Sequence, residues 1–593
     1  VEGEGVDAAG FRVEQQLALY RADGAFRAVY LPQAGQWTVR FVYSPRSVLL
    51  GLYTTFLAGI TLLMLAGWWA WGRFYKGEGS EVGTVAKNSA VQMAMSLLSR
   101  AIDFAFAMLR LRVLSPVGEG GYVFAITFYG LFEILTRFGL GTLVTRDVAL
   151  DKSRARSYLY NVIALRSGLW LASLPLMALV ALFYRVVLNQ LTTAEIQAIA
   201  VFAGALFFAN IADAISAVFN AFEKMEYPAA TSTATAVGKV ALGALVILPP
   251  LDMGFVGLAW VSLVMNVVQV IWLGALLRSK VLPPESDTDP STAPRRSDGG
   301  TPAGRSHRMP RLGLDWQSQR HMLAQSGPLM INHLLATVFW RISQLVLRGA
   351  PMTGLAAVGI FSAGVKYLDG LNVIPSYFTL AIFPLMSRYA HAGADTLVRA
   401  YRLALQLLFI VSLPLAVLFT FAATPLIQIL GGAAYLPDAA IALRIMIWSI
   451  PIGFVNSVTQ YVLIAVNQQR YLTKAFLIGV GFTATANLLL VPRFGYVAAA
   501  ALQIPAELSL FFPFIWAVHR YVAPMPWLHL LGRPLVAGAL NVLAVWGLER
   551  VGLALPVVLV LLFGYGLSFD VRNARVAGCW KTARPPRVRR WPG

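Results

Sequence analysis

The stretch that decides the fold is residues 88–111, NSAVQMAMSLLSRAIDFAFAMLRL. A bilayer core about 30 Å thick requires about 20 mainly apolar residues in a helix, so this run is long enough to cross a membrane. Its polar side chains recur at helical steps of three, four and seven, and therefore share one face. They are Ser89, Gln92, Ser96, Arg100, Asp103 and Arg110. The pattern predicts a membrane helix that turns one polar face toward protein or water.

Runs of the same kind recur along the whole chain. Of its 593 residues 58% are hydrophobic and only 13% are charged, whereas soluble domains carry about a quarter charged residues. Twelve segments are predicted to be membrane helices: 88–111, 119–145, 157–184, 195–222, 228–250, 254–278, 321–347, 354–385, 396–424, 437–466, 471–491 and 495–518. Further spanning helices are predicted at 48–71, 527–548 and 552–570. The fold class is therefore an all-α polytopic membrane protein.

The twelve helices divide into two groups of six. The segment between the groups is rich in Pro, Ser, Asp and Arg and is predicted to be a disordered linker. Because six is even, both lobes begin on the same side of the membrane, which favours a parallel repeat. Placing Gly120-Gly121-Tyr122 on Val358-Gly359-Ile360 also superposes Arg110 on Arg348 and Asp103 on Arg341. The predicted domains are an external β segment (1–47), an extra helix with a loop (48–80), an N-lobe (84–280), a linker (281–320), a C-lobe (321–522), two extra helices (523–570) and a basic tail (571–593).

The distribution of positive charge predicts the orientation. The net charge of +20 is carried by Lys and Arg residues between the apolar runs, as membrane topology requires, and this excludes nucleic acid as the partner. The more basic set of alternate loops contains the linker and the tail. Both are therefore predicted to be cytoplasmic and residues 1–47 external, where partly alternating residues at 16–20, 26–31 and 37–43 predict strands.

The candidate site consists of intramembrane charges on polar helix faces. The first helix of the second lobe repeats the polar stripe with His333, Thr337, Arg341, Gln344 and Arg348, and its neighbour carries Ser362, Lys366, Asp369, Asn372 and Ser376. A charge near the bilayer centre costs at least about 2.5–3.5 kcal/mol, so such residues face the protein interior or a cavity. The predicted substrate-binding residues are Arg100, Asp103, Arg137, Arg341, Lys366 and Asp369. Their surplus of positive charge suits phosphate oxygens.

A purely structural explanation of these charges remains open. Arg100 with Asp103, and Lys366 with Asp369, are spaced i, i+3 and could neutralise each other inside a packed bundle. Arg110, Arg112 and Arg348 lie at predicted helix ends and are expected to extend toward the lipid headgroups. Glu133 and Arg137 are spaced i, i+4 and are predicted either to form an internal ion pair or to serve in the cavity, with equal weight given to both.

Several motifs resemble one transporter family. Gly120-Gly121-Tyr122, Phe138-Gly139-Leu140-Gly141 and Thr145-Arg146-Asp147 occur in the first lobe; Phe383-Pro384-Leu385, Asn467-Gln468-Gln469 and Val491-Pro492-Arg493 occur in the second. In this order, residues from about 84 to 520 resemble Wzx-like polysaccharide flippases of the multidrug/oligosaccharidyl-lipid/polysaccharide exporter superfamily. The resemblance implies two lobes in a V around a central cavity. It also implies transport of polyprenyl-pyrophosphate-linked glycans by alternating access, without catalysis.

The amino-terminal segment resembles a different family. The stretches around Tyr20-Arg21-Ala22-Asp23-Gly24 and Val42-Tyr43-Ser44-Pro45-Arg46 look like the carboxyl end of YfhO-type membrane proteins, which are linked to glycosylation of envelope polymers. The chain would then be a fusion or a piece of a longer protein.

The function expected from the sequence is therefore a flippase in the cytoplasmic membrane. Its partners would be the lipid-linked oligosaccharide, membrane lipid and other polysaccharide-assembly proteins. The alternatives are a drug/cation antiporter of the same fold, a membrane glycosyltransferase and a scaffold for an envelope polymerase. No cofactor or metal is expected: Cys579 is the only cysteine, and no GxxxxGK[ST] motif for ATP binding occurs.

Overall fold

The chain forms two compact units, Val1–Gly79 and Ser80–Gly593, and each is described by itself. The computed structural model describes five strands within residues 1–40, then residues 81–188, 191–248, 251–281, 315–350, 354–392 and 394–525, with single positions 527 and 532. The predicted helices at 48–71, 527–548 and 552–570, most of the linker and the basic tail lie outside the described residues.

The first unit contains short antiparallel strands. These are β1 (Glu2–Val6), β2 (Arg12–Gln16), β3 (Leu19–Ala22), β4 (Phe26–Val29) and β5 (Gln36–Arg40). One sheet has the order β2-β1-β5, and β3 pairs with β4. The predicted strand at 16–20 instead falls across the end of β2 and the start of β3.

The second unit begins with a long helix that contains two of the predicted segments. Helix α1 (Glu81–Arg137) runs through the segments at 88–111 and 119–145, with a break at Ser115 (φ 61°, ψ 169°) directly before Pro116. Proline disfavours helical backbone in the residue that precedes it and cannot donate a backbone hydrogen bond, which accounts for the break. A second break follows at Phe138 and Gly139, where φ is positive, before α2 (Leu140–Leu150).

The rest of the first lobe follows the prediction closely. Its helices are α3 (Ala155–Leu182), α4 (Thr193–Ala221), α5 (Glu226–Ile247) and α6 (Gly254–Lys280). Helix α6 packs against α4 and α5, and α1 packs against α4 and α5. Leu140, Val144, Val162, Val218 and Phe219 are fully buried in a core that α2, α3 and α4 share.

The second lobe has the same general plan with more interruptions. Its helices are α7 (Trp316–Gly349), α8 (Leu355–Leu371), α9 (Val373–Ala392), α10 (Ala394–Phe421), α11 (Ala423–Leu430), α12 (Asp438–Met446), α13 (Ser449–Ala465), α14 (Gln469–Ala501) and α15 (Gln503–Tyr521). The predicted single segment at 354–385 is divided at Asn372, and the one at 437–466 is bent by 43° between α12 and α13. Helix α14 contains a break at Gly495 after Pro492.

The helices are those of a multi-pass membrane protein. Among the described residues, eight helices are long and apolar enough to cross a membrane, and the bent pair α12 and α13 makes a ninth when counted as one span. This is fewer than the twelve predicted segments, partly because α1 contains two of them. The two groups of six predicted segments are all helical in the structure.

The two lobes meet most closely where α1 crosses α8. A Cβ atom added to Gly120 would overlap the carbonyl oxygen of Leu355, and one added to Gly359 would overlap the carbonyl oxygen of Pro116. The contact is reciprocal, as expected for two repeats facing each other across an axis. It pairs Gly120 with Gly359, one residue away from the predicted alignment, which placed Gly121 on Gly359.

Candidate functional site: a charged cavity between the lobes

A large cavity lies between the two lobes. Its volume is about 1650 Å³, and its lining includes residues of α1, α4 and α5 from the first lobe and α7, α8, α13 and α15 from the second. A cavity of this volume exceeds the usual 300–1,000 Å³ of small-molecule sites. It therefore has room for a large ligand.

The lining of the cavity is rich in charge. Its basic residues are Arg110, Arg137, Arg146, Arg166, Lys239, Arg341 and Lys366, and its acidic residues are Asp103, Glu133, Asp213, Asp369 and Glu507. Basic side chains are thus in excess. Since charges inside a membrane protein are costly, this concentration points to a polar or charged ligand.

Five of the six predicted site residues line this cavity. They are Asp103, Arg137, Arg341, Lys366 and Asp369. Arg100 is exposed and is not among the lining residues. It lies three residues before Asp103, which places it about 60° around the helix from that residue.

Three of the cations stand out because they have no acidic partner. Among the described residues, Lys239, Arg341 and Lys366 make no ion pair within 4.0 Å. Lys239 donates to Asn266 Oδ1 at 3.1 Å, and Arg341 is 3.5 Å from Gln344 Oε1. The electrostatic interactions of Asp103 include both Lys366 and Lys239, which places these three side chains in one region. Lys239 belongs to the first lobe and the other two cations belong to the second.

Two ion pairs of the first lobe, Glu133 with Arg137 and Asp213 with Arg166, form a second cluster in the cavity. Arg137 pairs with Glu133 at 2.9 Å, which confirms the predicted i, i+4 ion pair. Arg166 pairs with Asp213 at 2.7 Å and donates to the Asn210 carbonyl oxygen at 2.9 Å. Helix α2, which begins after the break at Gly139, contributes Gly141 close to this pair.

A buried carboxyl group lines the cavity in the second lobe. Glu507 is 3% exposed and accepts a 2.7 Å hydrogen bond from Asn456 Nδ2, which also donates to the Glu507 backbone oxygen at 2.9 Å. Gly453 lies against this carboxylate and has no side chain to displace it. The three residues join α13 to α15.

At one end of the cavity a buried ion pair joins the two lobes, and a second one lies beside it within the first lobe. Arg348 of α7 binds Glu195 of α4 through Nε at 2.8 Å and Nη2 at 2.9 Å. Arg110 binds Glu119 within the first lobe at 2.6 and 2.7 Å. The prediction that Arg110 and Arg348 extend to the headgroups is therefore wrong, because each is buried against a glutamate. Arg112 is partly buried and donates to the Ile429 carbonyl oxygen.

The lobes also touch at the start of α7. Arg146 donates to Gln325 Oε1 at 2.7 Å, and the Asp315 backbone N–H donates to Asn161 Oδ1 at 2.9 Å. Met322 is 1% exposed within the core of the first lobe. Helix α7 therefore contacts the first lobe at both of its ends, with the cavity between.

Sequence reasoning missed Lys239, Arg166 and Glu507 as site residues. Lys239 and Glu507 each interrupt an apolar segment, so the rule that intramembrane ionisable residues mark functional sites would have found both. Glu119 and Glu195, the partners of Arg110 and Arg348, could not be recognised by this rule. Glu119 closely follows the break at Ser115, and Glu195 lies in the first turn of α4, so neither interrupts an apolar segment. Within the described residues no group of three His, Cys, Asp or Glu side chains could hold a metal ion.

Comparisons with known proteins agree with this arrangement. Residues 85–390 match the family model described as "Polysaccharide biosynthesis protein", so the chain belongs to that family, and residues 328–489 match the MatE model. A membrane protein of Methanocaldococcus jannaschii, MJ1068, described as uncharacterized, is 26% identical over 177 residues, covering 26% of this chain and 34% of the relative. This chain thus spans about a third of that relative's length.

Two solved structures share the fold. "Lipid II flippase MurJ, inward closed conformation" has a TM-score of 0.63 at 12% identity, covering 82% of this chain and all of that one. A multidrug resistance MATE family transporter of the MOP superfamily, in an inward-facing conformation, has a TM-score of 0.54 at 13% identity. The match covers 71% of this chain and 95% of that one. The fold is the V-shaped exporter fold of two six-helix lobes, and the chain is a multi-pass membrane protein of the polysaccharide biosynthesis family.

Proposed function

We propose that the protein is a flippase that moves a polyprenyl-pyrophosphate-linked oligosaccharide across the cytoplasmic membrane. The observation that carries the proposal is a set of three cavity cations, Lys239, Arg341 and Lys366, that form no ion pair with any residue that the structure describes. The pyrophosphate of such a substrate is an oxyanion, and an arginine guanidinium can pair with it through two parallel hydrogen bonds. Membership of a polysaccharide biosynthesis family supports a glycan as the remainder of the substrate.

Because these cations are divided between the two lobes, a bound anion can couple the lobes during transport. An anion held by Lys239 on one side and by Arg341 and Lys366 on the other bridges the lobes and relieves repulsion among the three charges. Bound substrate therefore favours conformations in which the lobes approach each other. Asp103 and Asp369 line the same cavity and reduce its net positive charge, which limits affinity and permits release.

A drug/cation antiporter is the second candidate, since residues 328–489 match the MatE model. An organic cation would have to enter a cavity whose lining is basic in excess, so we place this function second. We expect purified wild-type protein to be stabilised against thermal unfolding by inorganic pyrophosphate and not by tetraphenylphosphonium. The reverse result would favour the antiporter.

The test of the flippase proposal in cells uses export with a matched control. In a strain that lacks its own flippase, wild type should restore surface polysaccharide, and Arg341→Ala and Lys366→Ala should not, at equal amounts in the membrane. Arg444→Ala is the control, because Arg444 is exposed and bonds only Thr424 among the contacts that the structure gives. If Arg341→Ala and Lys366→Ala each restored full export, the proposed role of the cavity cations would be refuted.

A further inference from the structure

The second charged cluster of the cavity contains hydrogen-bond donors that nothing in the described part of the chain accepts. Arg166 is 1% exposed and uses only Nη1, for Asp213 and Asn210. Its Nε and Nη2 atoms, the Nε of Arg137 and the Nδ2 of Asn210 are buried and have no partner there. Every one of these four atoms is a donor, so the cluster lacks acceptors.

The missing acceptor is best supplied by an oxyanion. Buried donors without partners are unfavourable, and native structures leave few of them. A carboxylate or phosphate offers several lone pairs and matches the planar fork of guanidinium. Arg166 and Arg137 both line the cavity, so movement of their side chains, whose unpartnered donor atoms are buried in this conformation, would bring these donors to a ligand inside it.

This cluster is separated from Arg341, one of the three cations described above. Arg341 lies against Gln344, whose Oε1 accepts a 2.8 Å hydrogen bond from Thr127 of α1. Thr127 and Arg137 are ten residues apart on the same helix, a rise of about 15 Å. A pyrophosphate, only a few bonds long, does not extend over that distance.

We propose that Arg166, Arg137 and Asn210 form a second oxyanion subsite, which takes a carboxylate of an acidic sugar in the glycan. The inference rests on the proposed function and specifies its substrate as an acidic oligosaccharide. Glu133 and Asp213 balance the two arginines, so the subsite has no net charge. It therefore selects by hydrogen bonding and releases its ligand readily. The same oxyanion chemistry could instead serve the pyrophosphate during reorientation, and the experiment separates the two sources.

Two variants probe the subsite without removing a buried charge. Arg166→Lys keeps a cation for Asp213 and removes the unused guanidinium donors. Gly141→Ala adds a methyl group 3.3 Å from Asp213 Oδ2 and 3.6 Å from Arg166 Nη2, in a helix that tolerates alanine. Gly168→Ala is the matched control, because Gly168 lies in α3 two residues after Arg166, is not among the residues that line the cavity, and has nothing within 4 Å of its added Cβ.

The measurement is binding of glucuronate and of inorganic pyrophosphate to purified full-length protein in nanodiscs. Arg166→Lys and Gly141→Ala should weaken glucuronate binding about tenfold or more, with pyrophosphate binding and melting temperature unchanged. Gly168→Ala should behave as wild type. If the two variants weaken pyrophosphate and not glucuronate, the subsite serves the pyrophosphate and the acidic-sugar assignment is overturned.

Two other outcomes distinguish this inference from the proposed function. If neither ligand responds to Arg166→Lys or Gly141→Ala in folded protein, the donors only support the fold and the subsite does not exist. If pyrophosphate binds to no variant, or binds equally to Arg341→Ala, the proposed function fails whatever the result with glucuronate.

Discussion

Arg348 and Glu195 join the two lobes through a bidentate ion pair in which the side chains are 4% and 0% exposed. Glu195 also receives hydrogen bonds from the Thr192 backbone and hydroxyl groups at 2.9 and 2.8 Å, where it caps the start of α4. The Glu195 carboxylate thus caps the first turn of α4 in the first lobe and binds the last turn of α7 in the second lobe. A transporter that alternates between two states must break this contact when that end of the cavity opens.

Removing one partner of this pair should destabilise the closed state strongly. A buried charge left without its partner costs about 3–5 kcal/mol, so Arg348→Ala should lower the melting temperature of the purified protein by many degrees. The double variant Glu195→Gln with Arg348→Met should recover part of that loss. If both proteins melt like wild type, the pair does not hold the lobes together.

The reciprocal glycine contact should be intolerant of even one methyl group. Gly120→Ala and Gly359→Ala each place a Cβ on a backbone carbonyl of the facing helix, and backbone cannot move aside as a flexible side chain does. We expect little folded protein from either variant, measured by size-exclusion chromatography after extraction. Gly130→Ala should be normal or slightly more stable, since alanine favours helix over glycine by about 1 kcal/mol. Normal yields of all three would show that α1 and α8 are not so closely packed.

The carboxylate at Glu507 should depend on its amide neighbour. Asn456→Ala removes both hydrogen bonds to Glu507 and leaves a buried carboxyl group unsatisfied, at a cost of about 1–3 kcal/mol. Adding Glu507→Leu should restore stability, because no buried polar group then lacks a partner. Thermal unfolding of the single and double variants measures both effects. An unchanged melting temperature in Asn456→Ala would contradict this account of the contact.

The predicted orientation can be tested by labelling single cysteines in whole cells. After Cys579→Ser, a cysteine at Ser44 should react with an impermeant thiol reagent and one at Ser297 should not, since the positive-inside rule places the linker in the cytoplasm. Reaction at Ser297 and protection at Ser44 would reverse the topology. Permeabilised cells, in which both positions should react, are the control.

Much of the fold could be predicted because the strongest signal, apolar length, is local. All twelve segments from 88 to 518 are helical, and the parallel repeat is visible in Gly120 and Gly359. The internal breaks at Asn372 and between α12 and α13 were not predicted, because each lies inside a long apolar run, although Gly370 and Pro375 flank the first break and Pro451 follows the second. The burial of Arg348 could not be predicted because its partner lies 153 positions away in the chain.

The candidate site was predictable in composition and less so in geometry. A helical stripe gathers residues over a wide arc, so it included Arg100 with Asp103, although only Asp103 lines the cavity. Which cations lack an acidic partner depends on contacts between helices. Arg166 is paired with Asp213, whereas Lys239, Arg341 and Lys366 form no ion pair with the described residues, and the sequence does not show this difference.

The central claim is that the protein moves a pyrophosphate-linked glycan across the membrane and that the cavity cations Lys239, Arg341 and Lys366 bind its pyrophosphate. The most direct measurement is translocation of a fluorescent polyprenyl-pyrophosphate oligosaccharide in proteoliposomes, followed by its loss of accessibility to an impermeant quencher. Wild type and Arg444→Ala should translocate it, Arg341→Lys should be slower because the bidentate fork is lost, and Arg341→Ala should be inactive. Translocation by Arg341→Ala at the wild-type rate, in vesicles with equal protein, would contradict the claim.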